Sequence, residues 1–196
     1  MNEMRPLSTD RSDMTSATAP TQPRRRQFLW QSGWLLALSS LSSVGWQRLH
    51  AQTIEPLEVS EGIWRQWLSD AEYEVLRREG TERAGSSPLD GIDEAGIYVC
   101  AGCFLPLFSS EHKYDSGTGW PSFWRPINDE HINTKKDFKL IWPRTEYHCA
   151  RCQGHQGHVF GDGPDPTGQR WCNNGVALRF VPEGQSLPAL RQAPAG

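Results

Sequence analysis

Between Gly154 and Asn174 the chain reads GHQGHVFGDGPDPTGQRWCNN, which gathers two histidines, an aspartate, an arginine and a cysteine within about one hairpin. If Arg170 to Asn174 runs as a strand, side chains two apart share a face, so Arg170, Cys172 and Asn174 project together and Trp171 and Asn173 face the other way. His158, Phe160 and Asp162 share a face by the same period if Gly157 opens a second strand, and the Gly and Pro residues from Gly161 to Gly168 supply the turn between them. Such a hairpin brings imidazole near thiol. An inert buried thiol is the ordinary fate of a strand cysteine. A guanidinium two residues away and two nearby imidazoles are instead the electropositive setting that makes thiolate available for nucleophilic chemistry.

Four more cysteines form two C-x2-C pairs, Cys100-Ala-Gly-Cys103 and Cys149-Ala-Arg-Cys152, with 45 residues between them. Two sulfurs from one tight turn can occupy two corners of a tetrahedron, and two such turns close a structural zinc site with no open position. Two disulfides plus a free thiol are the alternative for an exported chain. A ladder of Cys149, Cys152, His155 and His158 at three-residue steps is another, but it leaves Cys100 and Cys103 without partners.

The elements that must position these groups belong to a chain of 196 residues with formal charge −3 and 37% hydrophobic residues, which suits one globular domain plus an extension. Residues 1–51 carry six Arg against three acidic residues, a balance of +3, and the remainder carries 14 basic and 20 acidic residues, a balance of −6. An acidic body argues against a nucleic-acid partner. Up to Gln22 the sequence is polar and aperiodic and reads as disordered. It is followed by Arg24-Arg25-Arg26-Gln27-Phe28-Leu29, a moderately apolar run from Trp30 to Trp46, and Leu49-His50-Ala51, a small-residue cleavage site. Arg25-Arg26-x-Phe28-Leu29 resembles the core of a twin-arginine export signal, which implies an exported, periplasmic protein. A single membrane anchor is the alternative, since the apolar run approaches spanning length; its five serines argue against that. Twin-arginine export carries folded proteins, so zinc would be loaded onto thiolates in the cytosol.

Residues 52–67 read as an aperiodic extension. Ser69-Asp-Ala-Glu72 matches a capping box and predicts a helix over Ala71 to Glu79 that stops at Gly80. Thr81 to Glu94 is rich in Ser, Gly and Pro and predicts a loop. Beyond Gly96 come short β-prone runs at Ile97 to Cys100, Leu105 to Phe108, Tyr147 to Cys149, Val159-Phe160 and Val176 to Val181, punctuated by Gly, Pro and Asn, as in a small all-β body of hairpins. Among them Trp120, beside glycines in Ser116 to Trp124, can form an apolar wall of a pocket.

With four cysteines assigned to metal, Cys172 is the thiol left for chemistry, and the chain resembles the B-type methionine sulfoxide reductases. The resemblance covers roughly residues 68–182, through GTER at Gly80, GIYVCAGC at Gly96, DSGTGWPSF at Asp115, RTE at Arg144, CARCQGHQGHVF at Cys149 and RWCNN at Arg170. It implies a mainly β fold of two small antiparallel sheets with a few short helices and a four-cysteine zinc site at Cys100, Cys103, Cys149 and Cys152. It also implies reduction of methionine-R-sulfoxide, free or protein-bound, by a Cys172 nucleophile that ends as sulfenic acid. On that pattern His155 and His158 supply the proton, with Asp162 orienting an imidazole, Arg170 and Asn174 support the thiolate, and Trp120 and Phe160 wall the substrate methyl group. Residues 183–196 read as a flexible tail, and a monomer is expected.

Many relatives carry a resolving cysteine in SGCGW, where this chain has Ser116-Gly117-Thr118-Gly119-Trp120. A hydroxyl cannot resolve a sulfenic acid, so an external thiol, a small one or a thioredoxin-like partner, is the expected electron donor. Trp171 and Asn173 also depart from the usual residues. They lie on the face opposite Cys172, where packing is affected more than chemistry. The competing expectation is a zinc-ribbon-like binding module in which Cys172 is structural.

Overall fold

Ser69 begins the first element that was legible as a local motif. In the computed structural model, which describes residues 54–138 and 143–194, its hydroxyl accepts from the Glu72 amide while the Glu72 carboxylate accepts from the Ser69 amide at 2.8 Å. This reciprocal cap opens helix α2, Asp70–Arg78, one residue earlier than expected. Tyr73, Val75 and Leu76 bury its inner face. Glu79 takes a left-handed conformation at φ 55° and ends it. A shorter helix, α1 (Glu61–Trp67), precedes it in the supposedly aperiodic extension. Seven residues make too few turns to display a period; what holds α1 is one buried indole, Trp64, edge-on to Trp67.

The β body has two antiparallel sheets. The smaller orders β1 (Gly96–Cys100) between β2 (Pro106–Ser109) and β9 (Leu178–Pro182). The larger comprises β3 (Lys113–Tyr114), β4 (Ser122–Phe123), β5 (Ile132–Asp137), β6 (Arg144–Cys149), β7 (His155–Phe160) and β8 (Arg170–Asn173), in the order β3-β4-β8-β7-β6-β5. Between the sheets lies an aromatic core: Phe108 stacks on Phe123 with centroids 4.4 Å apart, and Tyr147 meets Trp171 edge-on at 5.0 Å. Trp171 and Asn173 thus face inward, and Cys172 faces out. The last expected strand starts later than its apolar run, because residues 175–177 form a single 3-10 turn before β9. Strand β5 was not expected; its four central residues are exposed and polar, and only its ends are buried.

Within the segment 183–196, expected from the sequence to be a flexible tail, Arg191 contacts the body. The Arg191 amide donates to the Cys103 carbonyl at 3.2 Å, its guanidinium lies over the rings of Phe104 and Trp67, and its carbonyl accepts from Arg151 at 2.6 Å. A long cationic side chain lying on two aromatic faces gives a polar tail something to bind. Among the described residues no helix is long and apolar enough to cross a membrane. The leader and twin-arginine segment expected at residues 1–51 lie outside the described residues.

Candidate active site and metal centre

Strand register decides which side chains meet. Directly opposed residues of antiparallel strands share a face, and one transverse row of the larger sheet runs Ser122 (β4), Cys172 (β8), His158 (β7), Glu146 (β6) and Lys135 (β5). Cys172 therefore sits between a hydroxyl and an imidazole. Phe160 opposes Arg170 two pairs further along the hairpin, on the same face. Glycine at 157 is a packing requirement of this pairing, since a Cβ there would lie 1.8 Å from the Cys172 carbonyl oxygen.

A cavity of about 110 Å³ opens over this row, its lining including Thr81, Trp120, Arg144, His158, Phe160, Cys172 and Asn174. That is the volume of about four waters, room for the head of one side chain. A larger cavity of about 710 Å³ lies beside it between α2 and residues 81–89, but no thiol, imidazole or guanidinium lines it. The thiol and the imidazole line the small one.

The two histidines occupy different places. His158 borders the cavity, and its Nε2 meets the buried Asp137 carboxylate at 2.9 Å. Burial holds this imidazole below the ordinary histidine value; Asp137 pulls it upward, and Arg144, which also binds Asp137 at 2.7 Å, pushes it down. His155 is 2% exposed and lies behind His158, its Nδ1 on Glu146 at 2.8 Å. Asp162 does not orient either imidazole, contrary to the expectation from sequence. Its two oxygens accept from Arg170 Nε and Nη2, both at 2.9 Å, because β7 ends at Phe160 and the aspartate reaches the guanidinium before any imidazole. The carboxylates on the histidines are Asp137 and Glu146. Glu146 lay within a quoted motif without a role, and Asp137 carried no sequence signal, being brought in by the unanticipated β5.

Burial raises the Cys172 thiol above its ordinary value, and the Arg170 charge and the Thr118 hydroxyl draw it back down. Arg170 is held for this by Asp162 and by the face of Phe160, 4.3 Å from its guanidinium carbon. Asn174 falls just past the end of β8. Its amide is fixed at both ends, Nδ2 donating to the Gln156 carbonyl at 3.0 Å and Oδ1 accepting from the Glu82 amide at 3.0 Å. Glu82 lies within the quoted GTER motif, where the sequence assigns it no role. Its carbonyl also accepts from the Trp120 indole at 3.2 Å, and its carboxylate receives the Gly175 and Val176 amides, so one residue braces two walls of the cavity.

Apart from this site, Cys100, Cys103, Cys149 and Cys152 are buried with all four sulfurs within 4.8 Å of one another. Cys100 Sγ lies 3.6 Å from Cys152 and Cys103 Sγ 3.5 Å from Cys149, far beyond an S–S bond of about 2 Å. A tetrahedron with Zn–S of about 2.3 Å has edges of about 3.8 Å, so these sulfurs fit one zinc ion. Both knuckles turn alike: Phe104 and Gln153, each directly after the second cysteine, take positive φ and donate their amides to the carbonyls of Cys100 and Cys149. The geometry also disposes of the histidine ladder, since His155 and His158 bind carboxylates.

Comparison with known proteins gives the same extent as the motifs. The SelR domain matches residues 68–182. A protein of Hahella chejuensis named peptide methionine sulfoxide reductase MsrB is 50% identical over 127 residues, which cover 65% of this chain and 91% of that protein. Proteins of the same name from Bradyrhizobium diazoefficiens and Methanosarcina mazei are 49% and 48% identical, over 63% and 65% of this chain and 89% and 91% of theirs.

Proposed function

The chain belongs to the SelR-domain family, the B-type methionine sulfoxide reductases, and from that membership we propose that it reduces the R epimer of methionine sulfoxide through a sulfenic acid on Cys172. The observation that carries this reading is the cross-strand pair of Cys172 and His158 at the floor of a cavity walled by Trp120 and Phe160. The substrate's methyl group packs on the aromatic walls and its sulfinyl oxygen faces His158. Cys172 gives its proton to His158 and attacks the sulfinyl sulfur; the oxygen then passes from that sulfur to Cys172, so that the substrate's sulfur–oxygen bond and the transient sulfur–sulfur bond both break, methionine leaves with the electron pair, and His158 returns the proton to the oxygen. One thiol and one sulfoxide thus become one sulfenic acid and one thioether, with the thiol proton retained on the oxygen. Asp137 fixes the imidazole tautomer, and Arg170 supports the thiolate. His158, not His155, is the proton carrier in this scheme, because only His158 borders the cavity.

Zinc, held by the four distal thiolates, supplies no reaction chemistry and ties two turns of the fold together. Those thiolates are spent on metal, and position 118 offers a hydroxyl, so an external small thiol or thioredoxin-like donor restores Cys172. The protein acts as a monomer exported through a twin-arginine signal in residues 1–51, on the residue pattern at Arg25 and Arg26.

The reaction is tested with purified protein and a thiol reductant. Consumption of the R epimer with the S epimer spared is expected, and preference for S overturns the assignment. Without reductant, excess substrate yields about one equivalent of methionine per chain and a sulfenic acid that dimedone traps at Cys172; a disulfide from Cys172 to a native cysteine, formed at the rate of turnover, refutes the one-cysteine scheme. For export, changing Arg25 and Arg26 together to Lys leaves the protein in the cytosol, and unchanged export rejects the twin-arginine route.

A further inference from the structure

Strand β7 does not alternate evenly. His148 on β6 opposes His155 and Tyr147 opposes Gly157, so Gln156 is an extra residue with no partner on β6. Such a bulge shifts the alternation of side chains by one place. It puts His155 on the face of His158, with ring centroids 5.5 Å apart, and turns Gln156 the other way, into the protein, where it is fully buried. There its side-chain Nε2 donates to the Cys100 sulfur at 3.3 Å and to the Gly154 carbonyl at 3.4 Å. Both neighbours are acceptors, the sulfur as a metal-binding thiolate, so the amide can stand only this way round. Its side-chain oxygen, Oε1, is buried without a partner. An apolar side chain of the same shape would avoid that cost, so what recommends glutamine here is its N–H groups.

The two ends of Gln156 serve two sites. Its side-chain amide bridges both cysteine knuckles, because Cys100 belongs to one and the Gly154 carbonyl also accepts the Cys149 amide of the other at 3.0 Å. Its backbone carbonyl accepts from Asn174 twice, from the amide at 2.8 Å and from Nδ2 at 3.0 Å, and Asn174 lines the cavity over Cys172. We propose that Gln156 is a positioning residue that ties the four-cysteine centre to the wall of the active site. The sulfur anchors the side chain, the anchored bulge fixes the direction of the carbonyl, and the carbonyl holds Asn174. An N–H donated to a thiolate is a charge-assisted bond, and outer partners of metal ligands are worth about tenfold or more in metal affinity or activity. The inference rests on the proposed function only in taking the cavity over Cys172 as the place of reaction.

The test is Gln156→Met in the full chain, which keeps the length and bulk of the side chain and removes its donors; Gln156→Leu serves in its place if the methionine variant does not fold. Three measurements read the two ends of the residue. With cobalt(II) in the four-cysteine centre, the sulfur-to-metal charge-transfer band is expected to move to longer wavelength, since a thiolate that loses an N–H is more electron-rich, an effect that a packing defect alone does not produce. At full zinc occupancy the Asn174 backbone amide is expected to exchange with solvent about tenfold faster than in the wild type, as its acceptor loosens. At the same occupancy kcat/KM for the R sulfoxide is expected to fall about tenfold. An unchanged charge-transfer band overturns the proposal, because the sulfur then does not feel the amide. Unchanged exchange at Asn174 overturns it too, as does recovery of wild-type kcat/KM on saturation with zinc, because Gln156 then serves the metal alone. Failure of the wild type to turn over methionine sulfoxide sinks the proposed function instead, and the band and the Asn174 exchange still decide the role of Gln156.

Discussion

Cys172 is a thiol at rest because burial outweighs its cation, and His158 is neutral at rest because burial outweighs its carboxylate. The two face each other across one strand pair, and in the proposed mechanism the reactive species is the form of the pair that holds a single proton, whichever group carries it. Activity therefore rises as pH climbs through the lower, mainly imidazole, titration and falls through the upper, mainly thiol, one. Asp137 raises the imidazole, so Asp137→Asn lowers it further and moves the acid limb to lower pH, while kcat falls by about 10-fold or more as the tautomer is released. Arg170 lowers the thiol, so Arg170→Gln raises it and moves the alkaline limb to higher pH. Profiles of kcat/KM against pH for the two variants check both signs, and a shift of either limb in the opposite direction contradicts the assignment.

At the scale of elements, the β7–β8 hairpin is the device that makes a site of separate residues. A strand presents alternate side chains to alternate faces, so a slip of one residue in β8 would turn Cys172 into the aromatic core and bring Trp171 out. Gly157 guards this register, because the hairpin closes with the Cys172 carbonyl 1.8 Å from where any Cβ would stand. Gly157→Ala forces the strands apart at the reacting pair. It is expected to cost about 3 kcal/mol or more, a fall in Tm of roughly 10 °C, and to abolish turnover even where the protein remains folded. Thermal unfolding and activity on the same sample distinguish this from a mild packing defect. A wild-type Tm with wild-type activity would contradict the close approach.

For the molecule as a whole, the four-sulfur centre joins segments that are far apart in sequence. Cys100 ends β1, Cys103 lies in the turn after it, Cys149 ends β6 and Cys152 precedes β7, so an ion bound to the four sulfurs would tie the two sheets to each other. Buried thiols this close repel as thiolates unless a cation sits between them, and metal binding and folding are then one equilibrium. Cys149→Ser is expected to lose both the metal and cooperative unfolding, with about one zinc per chain in the wild type and none in the variant. Metal analysis with near-ultraviolet circular dichroism reads both, and a native spectrum with no zinc would show that the centre is not structural. Arg191 adds a second tie, from the chain's last described segment to the Cys103 turn.

What could be read in the sequence was whatever is local. The capping box at Ser69, the two cysteine knuckles and the two-residue alternation around Cys172 each depend on neighbours within a few positions, and so do the motifs that carry the family resemblance. Local geometry placed Trp171 and Asn173 on the inner face and Cys172 on the outer one. Contacts across the sheet were not legible, because they depend on which strands become neighbours. Asp137 reached His158 through β5, whose polar, exposed middle gave no hydrophobic signal, and Asp162 was lost to Arg170 because β7 stops two residues short of it. Glu82 lies 92 residues from the Asn174 it braces, within a segment that read as loop. Alone among these long-range partners, the four sulfurs could be paired from sequence, since a tetrahedral ion demands two such knuckles wherever they lie; hydrogen bonds between side chains impose no comparable spacing, so only the tertiary structure could assign them.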